Sequence, residues 1–215
     1  MVLILVGGHS RNVGKTSVMV GLLRGLSQFV WTAVKITQFG HDVCSNTGTD
    51  CDCSVATHPY LLTEEIPKIS PYDTTGEFTD TARFLAAGAA RSLWLRTRQG
   101  ELASGLPALQ AALQASEYAM IESNSLRQFW TPQLYIQVFD PRNEDFKLSA
   151  QRFADLADLY IVVRKPIMAA APAPSWQAIF DHGQQHGIPV FPVSPQQGYI
   201  SPEVVDYVRR KIEPK

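Results

Sequence analysis

Apolar residues fall along this chain in two kinds of pattern, short unbroken runs and longer stretches with helical spacing, and the two alternate. Val2-Leu3-Ile4-Leu5-Val6 is continuously apolar and stops at Gly7-Gly8, as a fully buried strand does. Across residues 17–29, apolar side chains recur at Met19, Leu22, Leu23, Leu26 and Phe29, which share one helical face. A second largely apolar run, residues 30–36, follows at once. Strand, turn, helix, strand is a βαβ unit, and such units imply a parallel sheet.

Later segments repeat the theme. Residues 80–90 read as a helix leading into Ser92-Leu93-Trp94-Leu95. Residues 106–116 read as another, with Pro107 tolerated in its first turn, and feed the run Tyr118-Ala119-Met120-Ile121. Further strands are predicted at 134–139, 159–163 and 190–193, and a closing helix at 202–212. Two stretches resist assignment. Residues 38–76 are polar and irregular apart from Tyr60-Leu61-Leu62, and residues 165–175 are rich in Pro and Ala and read as a surface loop. A loop as long as the first is usually functional or mobile. No internal repeat is visible. The expected fold is α/β, with a mostly parallel central sheet flanked by helices.

Composition narrows the class. A chain of 215 residues suits one well-buried domain, residues 1–215. Its 45% hydrophobic and 18% charged content is that of an ordinary globular protein. A net charge of −1, with no Lys/Arg-rich run, gives no electrostatic case for nucleic acid. No apolar run approaches a membrane span, and residues 2–6 are too short for a signal-peptide core and lack a basic segment before them. Three cysteines give no disulfide framework and suit a reducing compartment, so the cytoplasm is expected.

The chemistry begins where the first strand ends. Gly7-Gly8-His9-Ser10-Arg11-Asn12-Val13-Gly14-Lys15-Thr16-Ser17 places Gly-Lys-Thr between a buried strand and a helix start, where a phosphate-binding loop requires it. Gly14 lets the backbone curl so that successive N–H groups from Ser10 to Ser17 converge on phosphate oxygens. Lys15 offers an ammonium to the outer phosphates, Thr16 a hydroxyl to Mg²⁺, and the helix its positive end. In the usual G-x-x-x-x-G-K-[ST] pattern, the first Gly position is held here by His9, with Gly8 one residue earlier. A carboxylate is expected at the end of another buried strand. Glu122 and Asp140 both fit, and strand position does not choose between them.

The chain resembles the molybdopterin-guanine dinucleotide biosynthesis protein B (MobB) family of small GTP-binding P-loop proteins. The phosphate loop carries the likeness first. Val34-Lys35-Ile36-Thr37 leading to His41-Asp42 is similar to that family's I-K-H-T-H-H-D stretch, and Asp80-Thr81-Ala82-Arg83-Phe84-Leu85-Ala86-Ala87-Gly88-Ala89 to its D-S-x-x-x-x-x-A-G-A segment. Met120-Ile121-Glu122-Ser123 is similar to its L-V-E-G strand end. The resemblance runs from residue 1 to about 125. It implies a three-layer P-loop NTPase fold, a homodimer, Lys15, Glu122 and Asp42 as catalytic groups, and Glu122 with Thr16 on Mg²⁺. Asp80 is implied near the nucleotide or its metal. Ser123 stands where the family has Gly, and Ile36 where it has His. No N-K-x-D guanine-reading motif is present; Val163-Arg164-Lys165-Pro166 comes nearest. GTP and ATP both stay open.

Residues 43–79 form an insert relative to the family, and all three cysteines, Cys44, Cys51 and Cys53, lie in it within ten residues. His41 and His58 flank them, with Asp50 and Asp52 among them. Such ligands suit Zn²⁺, Ni²⁺ or an iron–sulfur cluster, although the spacing matches no standard zinc signature. A switch loop carrying reduced cysteines and a redox sensor are the alternatives. The segment follows the residues that would sense the γ-phosphate, a logic shared with the nickel-insertion GTPases of hydrogenase and urease maturation. Three functions are expected in turn. The first is a MobB-like Mg-nucleotide NTPase serving a cofactor-biosynthesis or maturation partner. The second is a metal-delivery or metal-sensing NTPase, and the third a small-molecule kinase or ligase of the dethiobiotin synthetase type. His182 and His186 read as an exposed helix face, Arg83 as a phosphate contact or a surface ion pair, and Trp94, Trp130 and Trp176 as packing residues.

Overall fold

The structure, a computed structural model, describes residues 1–40, 58–66, 79–164 and 174–213. Asp42, Cys44, Cys51 and Cys53, together with His41, Asp50 and Asp52, lie outside the described residues, as do residues 165–173 of the Pro/Ala-rich stretch. In chain order the elements are β1 (Val2–Gly8), α1 (Lys15–Gly25), β2 (Trp31–Phe39), β3 (Tyr60–Glu64), α2 (Asp80–Ala86), β4 (Arg91–Arg98), α3 (Leu102–Leu113), β5 (Tyr118–Glu122), β6 (Leu134–Phe139), α4 (Leu148–Gln151), β7 (Leu159–Val163), α5 (Pro174–Gln185), β8 (Val190–Val193) and α6 (Pro202–Ile212). The fold is α/β, with eight strands, mostly parallel, and flanking helices. It comprises two compact units, residues 29–121 with Met1, and residues 2–28 with 122–215.

The unit containing the N-terminal strand orders its strands β1-β6-β7-β8, all parallel, with Ile4 opposite Leu134, Ile136 opposite Leu159 and Tyr160 opposite Val190. β6 and β7 are buried at every position and β1 at all but its first, which is why their sequences are nearly continuous apolar runs. α1 buries Val18, Met19, Leu22 and Leu23 and ends at Gly25, short of the predicted residue 29. α6 starts from Ser201, whose hydroxyl caps the Val204 N–H with Pro202 in the first turn, and buries Val204, Val208 and Ile212. The chain leading into α6, and α6 itself, approach α1 where it has glycines. A Cβ on Gly25 would stand 2.6 Å from Val205 Cγ2, and one on Gly21 2.8 Å from Ile200 Cβ.

In the other unit the order is β3-β4-β2-β5. β2 and β4 run parallel from Thr32 opposite Arg91 to Phe39 opposite Arg98, and β3 lies antiparallel on β4 with Leu62 opposite Leu95. Trp31, fully buried, packs edge-on against Tyr118 and Phe29 at ring separations of 5.5 and 5.9 Å. Thr79 caps α2 by accepting the Ala82 N–H at 3.1 Å.

Three further expectations change here. The stretch 38–76, expected to be irregular, contains β3; this strand has no buried position, so its apolar signal is too brief for periodicity to reveal. α3 begins four residues before the predicted 106, which puts Pro107 in the helix interior instead of its first turn and leaves the Ala103 carbonyl without that helical N–H. The Pro/Ala-rich stretch gives way to α5 from Pro174, one residue before its expected end at 175. Among the described residues no helix is long and apolar enough to cross a membrane.

Candidate phosphate-binding site

β1 delivers the chain to Gly8, and the loop from His9 to Gly14 turns it into α1. Two residues of that loop have left-handed backbones, Asn12 at φ 57° and Gly14 at φ 101°. Glycine meets that demand at no steric cost, and asparagine is among the few other residues that tolerate it. The Lys15 side chain arches back across the loop, so that a Cβ on Gly8 would lie 2.8 Å from its Cγ and Cδ. Its ammonium donates to the Ser10 carbonyl at 2.6 Å. Gly8 therefore supplies the close approach that the glycine-to-histidine departure at position 9 gives up. Arg11 and Asn12 are exposed, Ser10 and Val13 buried, and Ser17 lies half-buried in the first turn of α1.

Glu122, only 3% exposed, ends β5 and accepts the Thr16 hydroxyl at 2.7 Å across 106 residues of sequence. Asp140, the rival strand-end acid, is held by the Arg142 guanidinium at 3.0 and 3.1 Å. Two residues beyond Glu122, Asn124 clamps the loop's entry. Its Oδ1 accepts from the Gly8 N–H at 2.8 Å, and its Nδ2 donates to the Gly8 carbonyl at 2.7 Å. The space at Gly7 is filled by Asn124 Oδ1, Gln137 Oε1 and the Tyr135 hydroxyl, so no side chain fits there. Asn124 eluded sequence reasoning because its partner lies 116 residues away and it falls just beyond the strand-end motif that stops at Ser123.

His9 is fully buried, stacked on Phe139 and edge-on to Phe146 at ring separations of 6.0 and 5.9 Å. Its Nε2 meets the Asn143 carbonyl at 3.2 Å, its carbonyl accepts the Lys147 N–H at 2.9 Å, and the neighbouring Ser10 hydroxyl donates to Asp145. Residues 140–147 are thereby strapped to the loop that follows β1. Burial lowers the His9 imidazole to about 4, with the Lys15 charge acting in the same direction.

Asp80 binds Lys35 at 2.8 Å and Arg83 at 3.2 Å, so Arg83 has a carboxylate partner. His182 and His186 stack with ring centroids 4.0 Å apart on α5, and among the described residues no group of three or more potential metal ligands occurs. Trp94, expected to be a packing residue, is only half-buried; its indole N–H donates to Thr37 at 2.6 Å and its ring lies beneath the Arg96 guanidinium.

No protein-family model matches the chain, and no curated protein matches its sequence. Among solved structures, it is similar to HypB from Helicobacter pylori in complex with nickel, at a TM-score of 0.48 and 13% identity, over 97% of this chain and 84% of that one. A likeness at that level decides nothing about this chain's chemistry, which rests on its own residues.

Proposed function

We propose that the protein binds Mg-nucleotide, GTP or ATP, at the 8–17 loop and hydrolyses it slowly. The observation that carries this reading is the meeting of Thr16 and Glu122 at the mouth of a loop that Lys15 already spans. A buried carboxylate and a hydroxyl in direct contact are the hard oxygen donors that Mg²⁺ takes. When bound, the ion would neutralise phosphate charge. Lys15 exchanges the Ser10 carbonyl for a phosphate oxygen, and the amides of residues 10–17 with the positive end of α1 hold the remainder. Asn124 keeps the Gly8 peptide in place. Catalysis on this reading is positioning and charge stabilisation, with no covalent step. The resemblance to the MobB family supports a role in molybdopterin-type cofactor biosynthesis or a related maturation step, as a cytoplasmic homodimer.

Calorimetric titration of Lys15→Ala with Mg-GTP and Mg-ATP tests the reading. Loss of one charge-assisted contact weakens binding by roughly 10- to 100-fold. Unchanged affinity would sink the reading.

The clustering of all three cysteines within ten residues favours a second reading, a metal-handling NTPase. Elemental analysis of anaerobically purified protein decides it. Stoichiometric zinc, nickel or iron that is lost in Cys51→Ser/Cys53→Ser supports this reading; metal-free wild-type protein removes it.

A further inference from the structure

Apart from Asn12 in the phosphate loop itself, Tyr199 is the one non-glycine among the described residues with a left-handed backbone, at φ 61°. Such a conformation is uncommon for a bulky side chain, and it persists where the surroundings over-determine it. Here they do. The chain leaves β8 through a 3-10 turn at Pro195–Gln197, Gly198 follows at φ 69°, and the Tyr199 N–H closes the turn on the Ser194 carbonyl at 2.9 Å. The turn carries the ring to Gly14. A Cβ on Gly14 would stand 3.1 Å from Tyr199 Cε1, 3.3 Å from its Cδ1 and 3.4 Å from Val163 Cγ2. A side chain at Gly14 would crowd the ring. Tyr199 is half-buried, so part of it stays open to solvent.

We propose that the Tyr199 ring is the wall on which the base of the bound nucleotide stacks. The inference rests on the phosphate-loop reading above and deepens it by assigning the nucleoside side. Gly14 is the last loop residue before α1, so a ligand with its phosphates in the loop carries its nucleoside past the helix start, where an aromatic face awaits it. Every nucleobase has a π-face, so stacking of this kind accepts adenine and guanine alike. The ring therefore contributes alike to binding of either purine nucleotide.

The test compares Mg-GTP, Mg-ATP and Mg-tripolyphosphate, titrated calorimetrically into the full chain and into Tyr199→Ala, Tyr199→Leu and Tyr199→Phe. Tyr199→Leu fills the space against Gly14 without a π-face. The expected result is about tenfold weaker nucleotide binding for the Ala and Leu variants. Tripolyphosphate binding stays within about twofold, and Tyr199→Phe restores nucleotide affinity. Nucleotide and tripolyphosphate weakened alike would mean that the ring only props Gly14, and unchanged nucleotide affinity would mean that it touches no base. Either outcome overturns the stacking assignment and leaves the phosphate loop standing. Wild-type protein that binds neither tripolyphosphate nor nucleotide overturns both.

Discussion

His9 shows what a single residue can be asked to do in a candidate phosphate loop. Where the usual pattern has a glycine, this chain puts an imidazole and buries it against Phe139 and Phe146. Burial holds it at about 4 against an ordinary value of 6.5. The unfolded chain therefore binds a proton that the folded chain refuses between those limits. Stability from this source is complete above pH 6.5 and drains away as pH falls towards 4, by up to about 3 kcal/mol. Urea denaturation of wild type and His9→Phe across that range should give a shallower acid slope for the variant; parallel slopes would remove His9 as the cause. The departure at position 9 was visible in the sequence, but its meaning was not. Its carbonyl partner Asn143 lies 134 residues downstream, with the two phenylalanines on either side of it, beyond any local pattern.

At the scale of elements, apolar runs located β1, β6 and β7 well because each is buried on both sides. The same logic explains the omission of β3, an antiparallel strand with no buried position. Pro107 misled in another way. Proline is commonest in a first turn, a preference that predicts a start at 106; α3 begins instead at Leu102 and packs Gly105 against Leu95 and Thr97, at 2.9 and 3.1 Å from a notional Cβ. Helix contact also yields a prediction. Gly25→Ala drives a methyl group to within 2.6 Å of Val205 Cγ2 and should cost about 1–3 kcal/mol in denaturant unfolding. Val205→Ala in the same chain should recover most of the loss. A Gly25→Ala variant as stable as wild type would show that α6 yields freely.

For the molecule as a whole, ligand binding and stability are linked, because a ligand that binds only the folded state stabilises it by mass action. Saturating Mg-nucleotide at about 100 times its dissociation constant should add roughly 2.7 kcal/mol and raise the thermal midpoint of the wild type. Lys15→Ala at the same concentration should gain far less. Equal shifts in both proteins would place the nucleotide somewhere other than this loop.

The features legible in the chain alone are local ones. The curl at Gly14, the lysine and hydroxyl that follow, and the helix that begins there are written in contiguous residues, since a turn and a helix start depend on nearby backbone and side chains. The buried strands are equally local, as runs of apolar residues. Folding alone brought in the distant groups that complete the site. Glu122 reaches Thr16 across 106 residues, and Asn124 reaches Gly8 across 116. Strand position had left Glu122 and Asp140 level. Their separation depends on where each strand ends and what its last side chain meets, and that is fixed by the packing of the folded chain.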